Sequence, residues 1–396
     1  MPENSSQYPS IPRSPQGNCR APAGRDSLGQ VQASENPAAY EPNLAIMLGN
    51  FSVVLHDLQW SEEALAIAEE AARIFRKLAR ENPDAFGLEL LSPLSNLCTS
   101  LAALGQHEKA LAYADEAISI IRKLARENPA AADRCLARVH AARGTSLSQR
   151  GQREEAKADV EKAIEIYRPL ASQNPAVFKP ALVRALVALG GVLSDLHLIE
   201  QARAAAEEAI GISRQMAGKH QAVFKPLLAG ALVILGGVLS DLWLIEQTQA
   251  VAQEARAAAE EAIGISRQMA RQYPAVFRPV LAQALLILGA AQAELGQQEE
   301  TEATADEAVQ IVRILAQENR AKYQHPLALT LTCQRLAGEE PGEGELALAQ
   351  ALLVRVFRLE SGAEDFSATA VETAEAVRLL MPPDRRGRLA VPASKD

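Results

Sequence analysis

The chain has 396 residues, of which 48% are apolar, 22% are charged and only 4% are aromatic. This composition is typical of a folded soluble protein whose core is built from alanine and leucine. The net charge of −9 argues against a general binder of nucleic acid or of anionic membrane, because both are polyanions.

Three further features of the composition bear on where the chain works. Its four cysteines lie far apart without a CxxC pair, which favours a reducing, cytoplasmic location and no structural zinc. No uncharged apolar run reaches about 18 residues, so we expect no membrane-spanning segment. The first thirty residues lack the pattern of a secretory signal.

A repeat of 46 residues organises the sequence. It is marked by Glu-Asn-Pro or Gln-Asn-Pro at Asn36, Asn82, Asn128 and Asn174. The later marks stand at His220, Tyr273 and Asn319, and only the step from 220 to 273 is longer, at 53 residues. Such a repeat is typical of solenoids, in which each unit packs only against its neighbours.

Each unit predicts two helices. In the unit 83–128, leucines recur every three or four residues from Leu90 to Leu104, and a second stripe of the same period runs from Ala110 to Ile121. Acidic residues begin the second helix and basic residues end it, which suits the helix dipole. One such pair cannot bury both apolar faces, whereas stacked pairs can.

The marks themselves predict how helices begin and end. Pro83 suits the first turn of a helix, and we expect Asn82 to adopt a left-handed conformation as the cap of the preceding helix. Gly105, Gly151 and Gly296 are expected to close the first helix of their units.

The repeat also divides the chain. Residues 1–35 are rich in proline and polar residues and are expected to be disordered. Residues 36–338 predict six full helix pairs plus a further helix, and 339–381 predict capping helices. Residues 382–396 predict a second disordered tail.

The longer step has a local cause. Residues 202–217 and 255–270 are identical, and the seven residues 248–254 are inserted before the second copy. Seven residues are about two helical turns, so we expect the second helix of the fifth unit to project beyond the stack. Two interpretations stay open, a tolerated insertion without function and a spur that contacts a partner, for which Trp243 is the possible interface anchor.

Large and small residues alternate at fixed places within each unit. In the fourth unit these are Leu186, Leu189-Gly190, Ala202 and Ala209, with His197 in place of the turn glycine. The pattern resembles the tetratricopeptide repeat (TPR), in the long-helix variety of kinesin light chains and of bacterial and fungal signalling proteins. The resemblance implies an all-α, right-handed α-solenoid. It also implies a non-catalytic scaffold that binds a protein or peptide on a concave face lined by the first helices.

The resemblance also selects the positions of that face. They are Asn50, His56, Asp57, Ser95, Asn96, Thr99, Thr145, Ser148, Gln149, Ser194, Asp195, Ser240, Asp241 and Glu294. None is Lys or Arg, whereas TPR carboxylate clamps hold a C-terminal carboxylate with basic side chains and asparagines. We therefore expect no acidic carboxylate-clamp ligand, and either a groove for a neutral or basic peptide or a merely hydrated inner face.

Residues that could carry chemistry do not assemble into a catalytic pattern. His107-Glu108 has no second histidine four residues on, so it is not a zinc helix. The pairs Gly190-Gly191 and Gly236-Gly237 lack a following Lys-Ser/Thr and are interpreted as sites of close helix packing. We expect no enzyme, no metal and no cofactor. The alternative to a scaffold is a regulatory or sensor component that acts in trans with a signalling switch or a protease-like protein.

Overall fold

The computed structural model describes residues 37–57, 60–124, 129–246 and 248–318, with the single positions 323 and 330. Within these residues the secondary structure is helical, without strands. The tails, the seventh-unit helix and the capping helices predicted from the sequence lie outside the described residues. The helices are α1 (Pro37–Asp57), α2 (Ser61–Glu81), α3 (Pro83–Phe86), α4 (Leu91–Ala103), α5 (His107–Leu124), α6 (Pro129–Gln149), α7 (Arg153–Gln173), α8 (Pro175–Asp195), α9 (Ile199–Ala217), α10 (Gln221–Glu246), α11 (Gln249–Ala270), α12 (Pro274–Glu294) and α13 (Gln298–Glu318).

The helices stack in pairs. We call α1, α4, α6, α8, α10 and α12 the first helices and α2, α5, α7, α9, α11 and α13 the second helices. Each first helix packs on the second helix of its own unit and on the first helix of the next unit. This arrangement confirms the predicted all-α solenoid.

The turns between first and second helices follow the sequence prediction. Gly105, Gly151 and Gly296 have positive φ angles of 74°, 74° and 72°. His197, which replaces the glycine in the fourth unit, adopts the same left-handed conformation with φ of 58°. A residue with a Cβ atom is strained there by roughly 1–2 kcal/mol, so the repeat geometry overrides the local preference of His197.

The residues before the marker prolines were expected to form left-handed caps, and this prediction is wrong. Asn82 has φ −143° and ψ 87°, and Asn174 has φ −135° and ψ 83°. The proline ring disfavours helical angles in the residue before it, which therefore becomes extended. Asn82 instead caps the following helix, where its Oδ1 accepts a hydrogen bond from the backbone N–H of Ala85 at 3.2 Å.

The first helix of the second unit is broken, although its leucine period predicts one continuous helix. The short α3 ends at Phe86, and α4 begins at Leu91. Pro93 has no backbone N–H and would clash in a helix interior, whereas it is tolerated in a first turn. The break places Pro93 in the first turn of α4.

The insert 248–254 lies inside the stack, so the predicted projecting second helix is wrong. The first helix α10 absorbs much of the extra length and has 26 residues, while α11 has 22. Val251 and Ala252 are buried, at 6% and 0% exposure. In the fifth unit Trp243 stands at the position that His197 has in the turn of the fourth unit. A left-handed turn is unfavourable for a bulky residue, so α10 continues as a helix through Trp243.

Three first helices are long and apolar enough to cross a membrane by length and composition, namely α8, residues Gln221–Trp243 of α10, and α12. No membrane-spanning segment was predicted from the sequence, because each of these helices contains charged residues and the prediction considered only uncharged runs. In the structure these three helices pack against one another and against second helices. Burial on several sides accounts for helices that are apolar nearly all round.

Candidate binding groove

The first helices of the first four units line a pocket of about 280 Å³. Val160 and Tyr167 of α7 also line it. The walls contributed by α6 and α8 consist mainly of small side chains, among them Ala141, Ala142 and Ala185. These two helices touch each other less than the other successive first helices do, which leaves the space that we call the groove pocket.

Four of the positions selected from the sequence line the groove pocket: Ser95, Asn96, Thr99 and Thr145. Asn96 is only 7% exposed, because its Nδ2 donates to the Gly49 carbonyl at 2.9 Å and to the Ser52 hydroxyl at 2.8 Å. Asn96 therefore ties α4 to α1.

The two threonines are bonded within their own helices. The Thr99 hydroxyl donates to the Ser95 carbonyl at 2.9 Å, and the Thr145 hydroxyl donates to the Ala141 carbonyl at 3.0 Å. A hydroxyl oxygen that donates in this way still has lone pairs with which to accept a hydrogen bond. Thr145 is exposed and Thr99 is half-buried, so a ligand could reach both.

Two arginines that the sequence analysis missed also line the groove pocket. Arg138 of α6 and Arg184 of α8 stand 46 residues apart, at the same position of consecutive units. The Nη2 atom of Arg138 lies 3.3 Å from the carbonyl and from the hydroxyl of Ser92, while Arg184 is exposed. The sequence did hold a signal, the recurrence of arginine at one repeat position, but the positions chosen from the resemblance lay in the other half of the helix.

The other selected positions do not line this pocket. Ser194 and Ser240 are buried, and the hydroxyl of Ser194 donates to Asp241 Oδ2 at 2.5 Å between α8 and α10. Asn50 is exposed, while Ser148, Gln149 and Asp195 are half-buried. The side chains of His56 and Asp57 lie outside the described residues. Trp243 is half-buried against the core of the later units.

Glu294 behaves differently from the other acidic groups of the first helices. Burial raises its pKa to about 8, and its Oε1 atom is buried without a hydrogen-bond partner. A carboxyl with this pKa is mostly protonated at neutral pH. Glu294 was selected from the sequence as an acidic residue of the groove, but with this pKa its carboxyl is mostly uncharged at neutral pH.

The cysteines and metal-ligating residues of the described ranges indicate no further chemistry. Cys98 is a free, buried thiol, and burial raises its pKa to about 12. A thiol with such a pKa is not a nucleophile at neutral pH. Residues 37–318, apart from the gaps given above, contain no group of three or more His, Cys, Asp or Glu side chains that could hold a metal ion.

Comparison with known proteins identifies the repeat. The family described as tetratricopeptide repeat matches residues 137–169, which span most of α6 and α7. Residues 137–169 are a tetratricopeptide repeat, the family that the pattern of large and small residues predicted. The matched TPR unit is also the one that contributes Arg138, Ala141, Ala142 and Thr145 to the groove pocket.

Solved structures with a similar arrangement include other helical repeat proteins. BtubC (BKLC) from P. vanneervenii is 19% identical, with a TM-score of 0.49 over 64% of this chain and 92% of its own. A Rap protein complexed with Competence and Sporulation Factor is 15% identical, with a TM-score of 0.49 over 90% and 92%. The Rap conjugation gene regulator of plasmid pLS20, solved with the Phr* peptide, is 14% identical, with a TM-score of 0.46 over 88% and 93%. No curated protein sequence matches the chain.

Proposed function

We propose that this protein is a non-catalytic scaffold that holds an extended peptide, or an extended segment of a partner protein, across its first helices. The proposal rests on the groove pocket, which is lined by Arg138, by Arg184 and by several alanines. Small side chains leave room for a ligand backbone, and the arginines offer fixed donors to it. The cytoplasmic location and the alternative role as a regulatory component in trans stay predictions from the sequence.

The charges of the groove support a particular class of peptide. Guanidinium groups bind carboxylates with two parallel hydrogen bonds, so the two arginines favour an Asp or Glu side chain or a C-terminal carboxylate. The expectation against an acidic ligand rested on the absence of basic side chains, and Arg138 and Arg184 remove that reason.

The proposal is tested with an array of immobilised ten-residue peptides that vary in charge and in the order of their charges. We expect the full-length protein to retain peptides that carry an acidic side chain or a free C-terminal carboxylate, and not to retain peptides that carry neither. For a retained peptide, Arg138→Ala or Arg184→Ala should weaken binding at least tenfold in fluorescence anisotropy, which corresponds to about 1.4 kcal/mol.

Arg134→Ala is the matched control. Arg134 is an exposed arginine of the same helix α6 and does not line the groove pocket, so its loss changes the net charge equally. The control should bind as the wild type does. A preference for purely basic peptides, or equal weakening by all three variants, would contradict the proposed site.

A further inference from the structure

The first helix of the solenoid carries two apolar stripes rather than one. The buried stripe, Ala45, Leu48, Ser52 and Leu55, is 0–5% exposed and faces the rest of the stack. A second stripe runs beside it, one residue earlier in the sequence at each step and therefore about 100° round the helix. This end stripe consists of Tyr40, Leu44, Met47, Phe51 and Val54, and four of its members are 38–61% exposed while Leu44 is half-buried.

In the later units, the positions equivalent to this stripe are contact surfaces between neighbouring helix pairs. The residues equivalent to Met47 are Pro93, Val139, Ala185, Ala231 and Ala284, and all are buried. In those units the preceding helix pair covers the position, whereas no pair among the described residues precedes α1. A polar face is the usual end of a solenoid, because it keeps the open end soluble. The end stripe instead keeps the apolar character of a covered surface, and Met47 is larger than its interior equivalents.

The spacing of the end stripe fits a helix as its cover. Its members follow one another at intervals of four, three, four and three residues, which is the seam of two helices packed as in a coiled coil. The seam from residue 40 to residue 54 is about 21 Å long.

The seam is also complementary to itself. If two copies of α1 lie antiparallel about a two-fold axis near Met47, Met47 meets its own equivalent and Tyr40 meets Val54 of the second copy. Leu44 then meets Phe51 of the second copy, so on either side of the central Met47 pair an aromatic side chain faces a smaller aliphatic one. An isologous contact of this kind needs one self-complementary patch and closes at two subunits.

Charge and composition favour a second copy over the chain's own N-terminal segment. The fourteen residues from Pro42 to Leu55 include no charged side chain, so two copies can approach without repulsion. The nearest carboxylate, Glu41, is paired with Lys77 Nζ at 2.9 Å. The residues before α1 hold Pro2, Pro9, Pro12, Pro15 and Pro22 and no apolar stripe of helical period, so their sequence predicts no helix that would match the end stripe.

We propose that the end stripe of α1 is the contact surface of a two-fold homodimer, in which α1 packs antiparallel against α1 of a second copy. One helix face is smaller than the roughly 800 Å² per partner of a standard interface, so the dimer should be weak and its population should depend on concentration. None of the end-stripe residues lines the groove pocket.

Analytical ultracentrifugation of the full-length protein, from about 1 to about 100 µM, tests the proposal. The wild type should pass from monomer to dimer in this range. Met47→Glu should raise the dissociation constant at least tenfold, because it buries two like charges at the axis. The matched control is Val177→Glu, which places the same charge on an apolar side chain that is 57% exposed but lies on α8. This control should dimerise as the wild type does.

A charge-swap experiment separates the two-fold contact from other covers. Met47→Glu and Met47→Lys should each be monomeric, and an equal mixture should recover a dimer, because the two residues meet only in an isologous pair. A wild type that stays monomeric throughout the range, a mixture that fails to associate, or a dimer that survives both substitutions overturns the proposal. A monomer that begins to associate only after residues 1–36 are removed would show that the chain's own N-terminal segment covers the stripe, and this too overturns it.

Discussion

A buried polar cluster distinguishes the third unit from its neighbours, and its energetics can be tested directly. His140, Arg143 and Asp159 stand where the fourth unit has Leu186, Leu189 and Ala205. The Nδ1 atom of His140 lies 2.8 Å from Asp159 Oδ1, and Arg143 is hydrogen-bonded to Asp159 Oδ2. The side chain of Asp159 is only 2% exposed, so its charge depends on these two partners.

Removing the carboxylate alone should be strongly destabilising. Asp159→Ala leaves the half-buried Arg143 guanidinium with only Asp115, whose carboxylate lies 3.3 Å from Arg143 Nε and is 66% exposed. Breaking a buried pair in this way costs about 3–5 kcal/mol. Because Arg143 keeps one partner and is 30% exposed, we expect the lower end, about 3 kcal/mol.

Replacing the whole cluster should have the opposite outcome. The triple variant His140→Leu, Arg143→Leu and Asp159→Ala copies the residues of the fourth unit, whose backbone is equivalent. Exchanging a buried ionic group for well-packed apolar residues is neutral or stabilising, by up to about 4 kcal/mol. The triple variant should therefore be at least as stable as the wild type, although it contains the damaging single substitution.

Urea unfolding followed by circular dichroism at pH 7 measures both variants, with Asp133→Ala as control, at an exposed aspartate of α6, the helix of His140 and Arg143. A pH series adds a second readout. Burial alone would raise the pKa of Asp159, but the hydrogen bond from His140 and the charge of Arg143 outweigh it and hold the pKa below its ordinary value. A lowered folded-state pKa stabilises the fold above the unfolded-state pKa, and the contribution is lost as the pH falls through the folded-state pKa. The wild type should thus lose more stability than the triple variant below about pH 4.

Two results would refute this reasoning. If Asp159→Ala costs no more than Asp133→Ala, the carboxylate is not a buried partner of Arg143. If the triple variant is as unstable as Asp159→Ala, the destabilisation comes from lost packing at residue 159 and not from an uncompensated charge.

Two further outcomes are expected from the packing of the later units. Excision of residues 248–254 makes the fifth unit a near copy of the fourth, so Ile245, which is 71% exposed, should become buried as Ile199 is. The melting temperature by circular dichroism should stay the same or rise, and a fall of more than about 2 °C, or about 1 kcal/mol for a chain of this size, would contradict the equivalence. Gly236→Ala should cost about 1–3 kcal/mol in urea unfolding, since its Cβ would lie 2.8 Å from the Ile287 side chain. Gly191→Ala, which has open space around its Cβ, should instead stabilise the helix by up to about 1 kcal/mol, and similar effects of the two would rule out the close contact.

The sequence predicted the fold well because the fold depends on features that repeat. The 46-residue step, the leucine period and the turn glycines gave the helix pairs, and even His197 was recognised as a substitute for glycine. The helix break before Pro93 was missed because a leucine period reports which side of a helix is apolar and not whether the backbone is continuous. The path of the insert was missed because the preference of Trp243 for a helix over a left-handed turn acts on a single residue.

The candidate site was less predictable, since it depends on where the repeats depart from one another. Positions chosen from the family resemblance included Asn96 and Thr145, which line the groove pocket, and Ser240, which is buried and donates to the Gly236 carbonyl at 3.1 Å. Periodicity alone does not separate these cases, because the spacing between successive first helices decides which side chains remain accessible. Arg138 and Arg184 became visible as a pair only when that spacing was known.

The polar cluster and the groove pocket meet in the same unit, and this coincidence has a physical reason. One hydrophobic cluster extends from Ala45 to Ala142 and a second from Ala137 to Leu315, so the apolar core divides within α6. Where other first helices have leucines, α6 has His140 and Arg143, which contact Asp159 of α7 and Asp115 of α5. The side chains that α6 contributes to the groove pocket beside α8 are mostly small, among them Ala141, Ala142 and Thr145. A helix with fewer large apolar residues packs less closely on its neighbour, because the area buried between them is smaller. The space between α6 and α8 is therefore explained by small side chains in the same unit that replaces core leucines by a polar cluster.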